Sequence, residues 1–165
     1  MVETIFAEVE LKVPIEQIWK AQVADGPNCM PKIFPAFIES IETLEGDGGA
    51  GSVRRINLGS AVPYARYVKE HVDVLNDETH IFTYTVIEGG GLGEIFDYYK
   101  ATISFKPGAD ENTTIGRWSL DYSLIGEHPG LPAQLKRRNV DVFKTVEAYL
   151  LSGASAQTEK KLHHI

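Results

Sequence analysis

One stretch constrains this chain more than any other. From Pro129 to Leu151, apolar residues recur at three- to four-residue multiples, namely Leu131, Leu135, Val142, Val146 and Leu150, with Phe143 and Tyr149 widening the stripe. That spacing predicts one long amphipathic helix. Lys136, Arg137, Asp141, Lys144 and Glu147 fall mostly on its other side. Nothing between Pro35 and Ile125 has a helical period, so the rest of the chain reads as a sheet that holds this helix. One slot in the stripe is polar. Asn139 comes four residues after Leu135 and three before Val142, so it faces inward, with Arg138 at its border. An inward amide needs a partner, either in an interior space or, at a helix rim, in its own backbone.

Before the sheet, Thr4 to Leu11 fits a strand loosely through Phe6, Val9 and Leu11, and Val13-Pro14 breaks it. Ile15 to Ala24 reads as a short helix with Ile15, Ile18, Trp19 and Gln22 along one side. Asp25-Gly26-Pro27 turns the chain into a second short helix, about Pro27 to Phe34, which ends before Pro35. Segments rich in β-branched and aromatic residues follow at 37–45, 52–58, 64–75, 79–88, 94–106 and 113–125, separated by Gly, Asn, Asp and Pro clusters. The sequence holds no repeat or linker. A single domain over 1–153 with a flexible polar tail over 154–165 is expected.

Split into alternating faces, these segments say more. Trp118, Leu120, Tyr122 and Leu124 share one face of 113–125, against Arg117, Ser119, Asp121 and Ser123. Tyr99, Ala101, Ile103 and Phe105 form the inward set of 94–106, and Phe82, Tyr84 and Val86 that of 79–88. Such a one-sided antiparallel sheet has an unusually aromatic covered face. Tyrosine hydroxyls need partners in a sealed core, but they suit the wall of a ligand pocket. Glu70 is the most informative residue, because it alternates with Val68, Val72 and Val74 and so falls on the apolar face. A buried carboxylate there would have a raised pKa and would need a donor: a tyrosine hydroxyl, Arg138 or a ligand N–H. A strand end, or a bulge turning Glu70 outward, is the other option.

Composition excludes several classes. A formal charge of −7 opposes a surface that tracks phosphates, so no nucleic-acid partner is expected. One cysteine, Cys29, allows neither an internal disulfide nor a multi-cysteine metal site. No apolar run approaches the roughly 18 residues that span a bilayer, and Met1 to Leu11 does not resemble a signal peptide, so a cytoplasmic location without membrane insertion is expected. The scattered histidines give no zinc spacing, and the reading calls for no metal and no cofactor. The segment from Glu45 to Ser52 mimics a P-loop only in part: its lysine is missing, it carries two acids, and it joins strands. A flexible hairpin connection is the expected role. Glu88 to Gly93 lacks the helix that a dinucleotide fingerprint requires.

Taken in order, Asp25-Gly26, Pro31-Lys32-Ile33, the glycine-rich segment 45–52, Tyr67-Val68-Lys69-Glu70, Tyr84-Thr85-Val86-Ile87-Glu88-Gly89-Gly90 and Val146 to Leu151 resemble the plant class-ten pathogenesis-related proteins, the family of the major birch pollen allergen. The resemblance spans roughly residues 3–152. It implies an α+β helix-grip fold: a seven-stranded antiparallel sheet wrapped around a long C-terminal helix, two short helices closing one end, and a large internal cavity. It also implies binding of small amphipathic metabolites such as cytokinins, flavonoids or sterols, with an acid of cytokinin binders matching Glu70. Departures include Phe82 where tyrosine is common, Gln22 where an aromatic is common, and Trp118 on a wall usually lined by a smaller residue.

Face pattern and resemblance together give the expected site. Glu70 would accept from a ligand N–H, while Tyr67, Tyr84 and Tyr122 would offer hydroxyls. Phe82, Tyr99, Ile103, Trp118, Ile56, Leu58 and Val142 would pack its faces. Gln22, Ile38, Val86, Ala101, Arg138 and Asn139 complete the lining. No catalytic residue is assigned. Norcoclaurine synthases of this fold use a lysine on a late strand, but 113–125 contains none, and Arg117 points away from the inward face. The ribonuclease activity proposed for the family would map to the glycine loop, Asp97, Glu147 and Tyr149. The expectation is thus a carrier of a small plant metabolite, foremost a cytokinin-like hormone, with a monomer as the default state.

Overall fold

The computed structural model describes residues 1–153, so the expected tail lies outside the described residues. Strand β1 (Glu3–Leu11) leads to α1 (Ile15–Trp19), which continues as a π-helical turn over Lys20–Ala24, and then to α2 (Gly26–Ile33). Strands β2 (Ile38–Glu45), β3 (Val53–Leu58), β4 (Tyr67–Asn76), β5 (Ile81–Gly89), β6 (Phe96–Pro107) and β7 (Thr114–Leu124) follow, and α3 (Leu131–Leu151) completes the fold. The seven strands form one antiparallel sheet in the order β1-β7-β6-β5-β4-β3-β2. The seven-stranded antiparallel sheet, the long C-terminal helix and the two short helices are those expected.

Local chemistry explains the boundaries. Pro14 ends the β1 segment and caps α1. The Asp25 carboxylate accepts from Asn28 Nδ2 at 2.8 Å and turns the chain into α2, where Pro27 sits in the first turn. In β1 the inward residues are Ile5, Ala7, Val9 and Leu11, all packed in or against the core. Phe6 points the other way, beneath the Arg117 guanidinium at 4.0 Å, so its apolar character misleads about the face it occupies.

Strand β4 carries a second surprise. Its pairing with β5 shifts register between Val72 and Val74, so Val74 lies opposite Thr83 and Leu75 opposite Phe82. Strict alternation puts Val74 inside. The bulge instead turns it out, 40% exposed, and brings Leu75 onto the core.

Helix α3 buries Leu135, Phe143 and Val146. Its close packing is against β1, α1, α2 and β7. Phe143 meets Phe105 edge-on at 5.6 Å. Gly116 allows that approach, since a Cβ there would sit 3.0 Å from Leu11 Cδ1 and 3.2 Å from Phe143 Cε1. Glu147 belongs to this seam and not to the solvent side where helical periodicity puts it. It is 7% exposed, accepting from the Lys12 backbone N–H at 2.6 Å and from Lys144 Nζ at 2.9 Å. Burial alone would raise its pKa, but these donors outweigh burial and hold it below the usual carboxylate value.

Glu147→Ala should therefore destabilise the protein by about 1–3 kcal/mol in urea unfolding near neutral pH. Because the folded-state pKa is depressed, the contribution is complete above the unfolded carboxylate pKa and lost as pH falls through the folded one. The difference between wild type and variant should shrink over that acid range.

Candidate ligand-binding site

The inner face of the sheet changes character from one end to the other. Leu11, Val13, Ile18, Trp19, Phe105 and Phe143 make a close-packed core, with Trp19 edge-on to Phe105 at 6.2 Å. Further along, Ile56, Leu58, Tyr84, Tyr99 and Ile103 face the same way yet stay only half-buried, as do Asn139 and Val142 on α3. Ile38 shares this half-buried face through its pairing with Leu58. Phe82, Val86, Ala101, Trp118 and Tyr122 lie on it fully buried.

Glu70 lies within this wall, 5% exposed. Its partner is neither a tyrosine nor Arg138. Arg54, directly across from it on β3, binds Glu70 Oε1 with Nη2 and with Nε at 3.1 Å. Arg54 is itself 8% exposed and stacks over the Phe82 ring at 5.1 Å. Both members of an ion pair are thus inside the protein. Among the described residues the second oxygen, Oε2, has no hydrogen bond. Desolvation pushes the Glu70 pKa up, and Arg54 opposes the shift. Burial holds the Tyr84 hydroxyl well above the usual phenol range, with Tyr99 and Glu70 adding to it. Tyr99 is also raised by burial, while Arg138 pulls it down. Glu70, Arg54, Tyr84 and Tyr99 therefore form one electrostatic group, and Arg138, exposed on α3, acts on both tyrosines from the rim.

Arg54 was not among the expected residues. The signal existed: alternation in β3 places it on the same face as Ile56 and Leu58. Tyr67, by contrast, lies on the outer face, where its hydroxyl meets Glu88 Oε2 at 2.5 Å and its ring carries the Arg55 guanidinium at 4.1 Å. It immediately precedes the inward Val68, and that parity removes it from the set. Tyr122 is inward, but its hydroxyl lies beside Glu3 on the neighbouring strand. Asn139 donates to the Leu135 carbonyl of its own helix at 2.8 Å, so its amide is satisfied locally.

The glycine-rich segment is tied down, where a flexible connection was expected. Ser52, fully buried, accepts from the Gly48 N–H at 2.8 Å, and Gly46, Gly48 and Gly51 all take positive φ. At Gly46 a Cβ would also lie 2.5 Å from Ser52 Oγ. The hydroxyl that mimics a P-loop serine thus holds the loop's own backbone. Beside it, a cleft of about 430 Å³ between the loop (Asp47, Gly48, Gly49) and the start of α2 (Asp25, Asn28) reaches inward to Arg54 and Leu75.

Residues 1–153 match the Pathogenesis-related protein Bet v 1 family. The chain belongs to that family. It is 32% identical to the major allergen Pru ar 1 of Prunus armeniaca, an alignment covering 93% of this chain and 95% of the allergen. Among solved structures, Ara h 8.0201 superposes with a TM-score of 0.77 at 28% identity, covering 92% of this chain and 99% of that one. Norcoclaurine synthase from Thalictrum flavum, in complex with dopamine and hydroxybenzaldehyde, gives a TM-score of 0.72 at 22% identity, over 92% of this chain and 88% of the enzyme. That last likeness concerns the fold alone. In this Bet v 1 family member β7 contains no lysine, and its Arg117 pairs with Glu8 at 3.1 Å on the outer face.

The buried pair makes a clear thermodynamic prediction. Arg54→Met or Glu70→Leu alone strands a charge and should cost about 3–5 kcal/mol, whereas the double variant should recover most of that loss. A double-mutant cycle by urea denaturation checks it, and additive losses would show that the two side chains are not coupled.

Proposed function

We propose that this Bet v 1 family protein binds a small, flat, partly polar molecule between the inner face of β3–β6 and α3, and acts as its carrier or buffer. The spare Glu70 oxygen carries this reading: an acceptor fixed by Arg54 within an apolar wall whose aromatic neighbours are only half-covered. Packed cores do not leave inward tyrosines half-covered, so this half of the interior is read as hollow. Helix α3 packs chiefly against β1, at the edge of the sheet, which supports this reading. A purine bearing a ring or exocyclic N–H fits the chemistry, donating to Glu70 Oε2 while its faces lie among Tyr84, Tyr99, Ile103 and Ile56. An adenine-type cytokinin is the specific ligand proposed.

Burying about 200 Å² of apolar ligand surface is worth roughly 5 kcal/mol gross. Ordering costs reduce this, and the hydrogen bonds restore part, so an affinity in the micromolar range is expected. The family's enzymatic chemistries find less support here. Arg117 cannot serve as a base, and Glu147 is occupied with holding α3.

Calorimetric titration with an adenine-type cytokinin should show binding to the wild type that Glu70→Gln weakens about tenfold or more. The glutamine carbonyl can still accept from Arg54, so the pair's geometry survives, but its NH₂ meets the ligand N–H donor to donor. Equal affinity in the two proteins would remove Glu70 from the site. Incubation with dopamine and an aldehyde, or with RNA, should give no turnover above a heat-killed control; turnover would favour an enzyme.

A further inference from the structure

The Arg54 guanidinium has more donors than its partner uses. Nε and Nη2 both bind Glu70 Oε1, whereas a guanidinium offers five N–H groups. Among the described residues Nη1 makes no hydrogen bond, and it still keeps accessible surface. The residue as a whole is 8% exposed. It lines the inner end of the cleft of about 430 Å³ between the glycine-rich loop and the start of α2, a volume in the range of small-molecule sites. A buried cation with spare donors at the floor of an open cleft is a ready holder of a carboxylate.

Towards solvent the lining changes sign. Asp47 and Asp77 are exposed on the cleft and Asp25 is half-buried. Each is oriented by a donor of the protein. Asp25 accepts from Asn28 Nδ2 at 2.8 Å, Asp47 from the Gly49 N–H at 2.9 Å, and Asp77 from Trp19 Nε1 at 2.8 Å. The Asn28 bond also holds the Asp25 carboxyl below its usual range, so it is ionised near neutral pH. Asp47 and Asp77 each keep a second oxygen without a partner among the described residues. Since Glu70 already neutralises Arg54, these acids set the net charge of the cleft, and a simple anion is repelled on its way to the floor. Between the two ends lie the apolar side chains of Val23, Pro27 and Leu75.

We propose that this cleft binds a small zwitterion, with its carboxylate on the free donors of Arg54 and its ammonium among Asp25, Asp47 and Asp77. An ω-amino acid has this layout, its methylene stem running along Val23, Pro27 and Leu75. A lone ammonium would satisfy the rim and leave the guanidinium unanswered. A lone carboxylate would meet the repulsion of the acids. The site is separate from the interior one proposed above and does not depend on a ligand there; the two share only Arg54.

The test titrates δ-aminovalerate, valerate and pentylamine, three stems of equal length, into isotope-labelled protein and follows backbone amide shifts by NMR. In the wild type δ-aminovalerate should bind about fivefold or more tightly than either analogue, with shifts at Asn28, Gly48 and Gly49. Combining Asp47→Asn with Asp77→Asn removes two charges, while the amide oxygens can still accept from the Gly49 N–H and Trp19 Nε1. That variant should bind δ-aminovalerate more weakly than the wild type and valerate more tightly. Arg54→Met combined with Glu70→Leu should lose δ-aminovalerate and valerate alike and keep pentylamine. If this second variant fails to fold, the opposite responses of the two probes in the first decide alone. Equal affinity for the three probes in the wild type would overturn the proposal. So would the absence of any shift, or shifts confined to inner-face residues such as Tyr84 and Ile103.

Discussion

Helix α3 is fastened along one edge of the sheet, and the interior follows from that attachment. Leu135, Phe143 and Val146 seat it against β1 and the start of α1, Gly116 lets the Phe143 ring approach the strand, and Glu147 locks the seam through the Lys12 N–H. Apolar burial supplies the attraction and is indifferent to direction. The hydrogen bond and the missing Cβ at Gly116 fix where the helix comes to rest. A helix anchored at its edge need not descend onto the central strands. Tyr84, Tyr99 and Ile103, on the central strands, stay only half-buried beside a helix placed in this way.

An interior arranged this way can hold charge. Moving an arginine and a glutamate out of water costs more than their attraction reliably returns, and apolar replacements of such pairs are often as stable. The Arg54–Glu70 pair is therefore weak evidence of a stability device. Its geometry points elsewhere: Arg54 engages one carboxylate oxygen, and among the described residues the other has no hydrogen bond. Stacking over Phe82 further fixes the guanidinium in place. A recognition group works best when it is oriented before its ligand arrives, and under the proposed function Glu70 meets that requirement, held by Arg54 on the adjacent strand.

Much of this was legible in the sequence, and the failures share a cause. Helical spacing identified α3, turn residues separated the strands, and two-residue alternation put Glu70 inside. Alternation is a local rule, however, and depends on an unbroken register. The bulge after Val72 reversed Val74 and Leu75, a change that nothing in the composition of those residues announces. Phe6 looked like a core residue because it is apolar; in the fold it covers Arg117 on the outside. Glu147 looked solvated because it is charged, yet its partner lies 135 residues away, a distance that no window of periodicity spans. Arg54 is different. Its face was readable from Ile56 and Leu58, but a charged residue invites assignment to the surface unless the carboxylate opposite it is considered at the same time. Buried pairs have to be sought as pairs.

The same interior also discriminates between recognition and catalysis. General acid–base work needs a group that exchanges a proton near the working pH. Burial moves Tyr84 and Tyr99 away from neutrality, toward permanently protonated phenols. Desolvation raises the Glu70 pKa and Arg54 opposes the shift, while the ion pair occupies one of its oxygens. β7 contributes Trp118 and Leu120 to the inner face and no lysine. What remains is a set of fixed donors and acceptors on an apolar wall. Such groups can orient a molecule and select it by its hydrogen-bonding pattern, which is the chemistry that the carrier proposal asks of this interior.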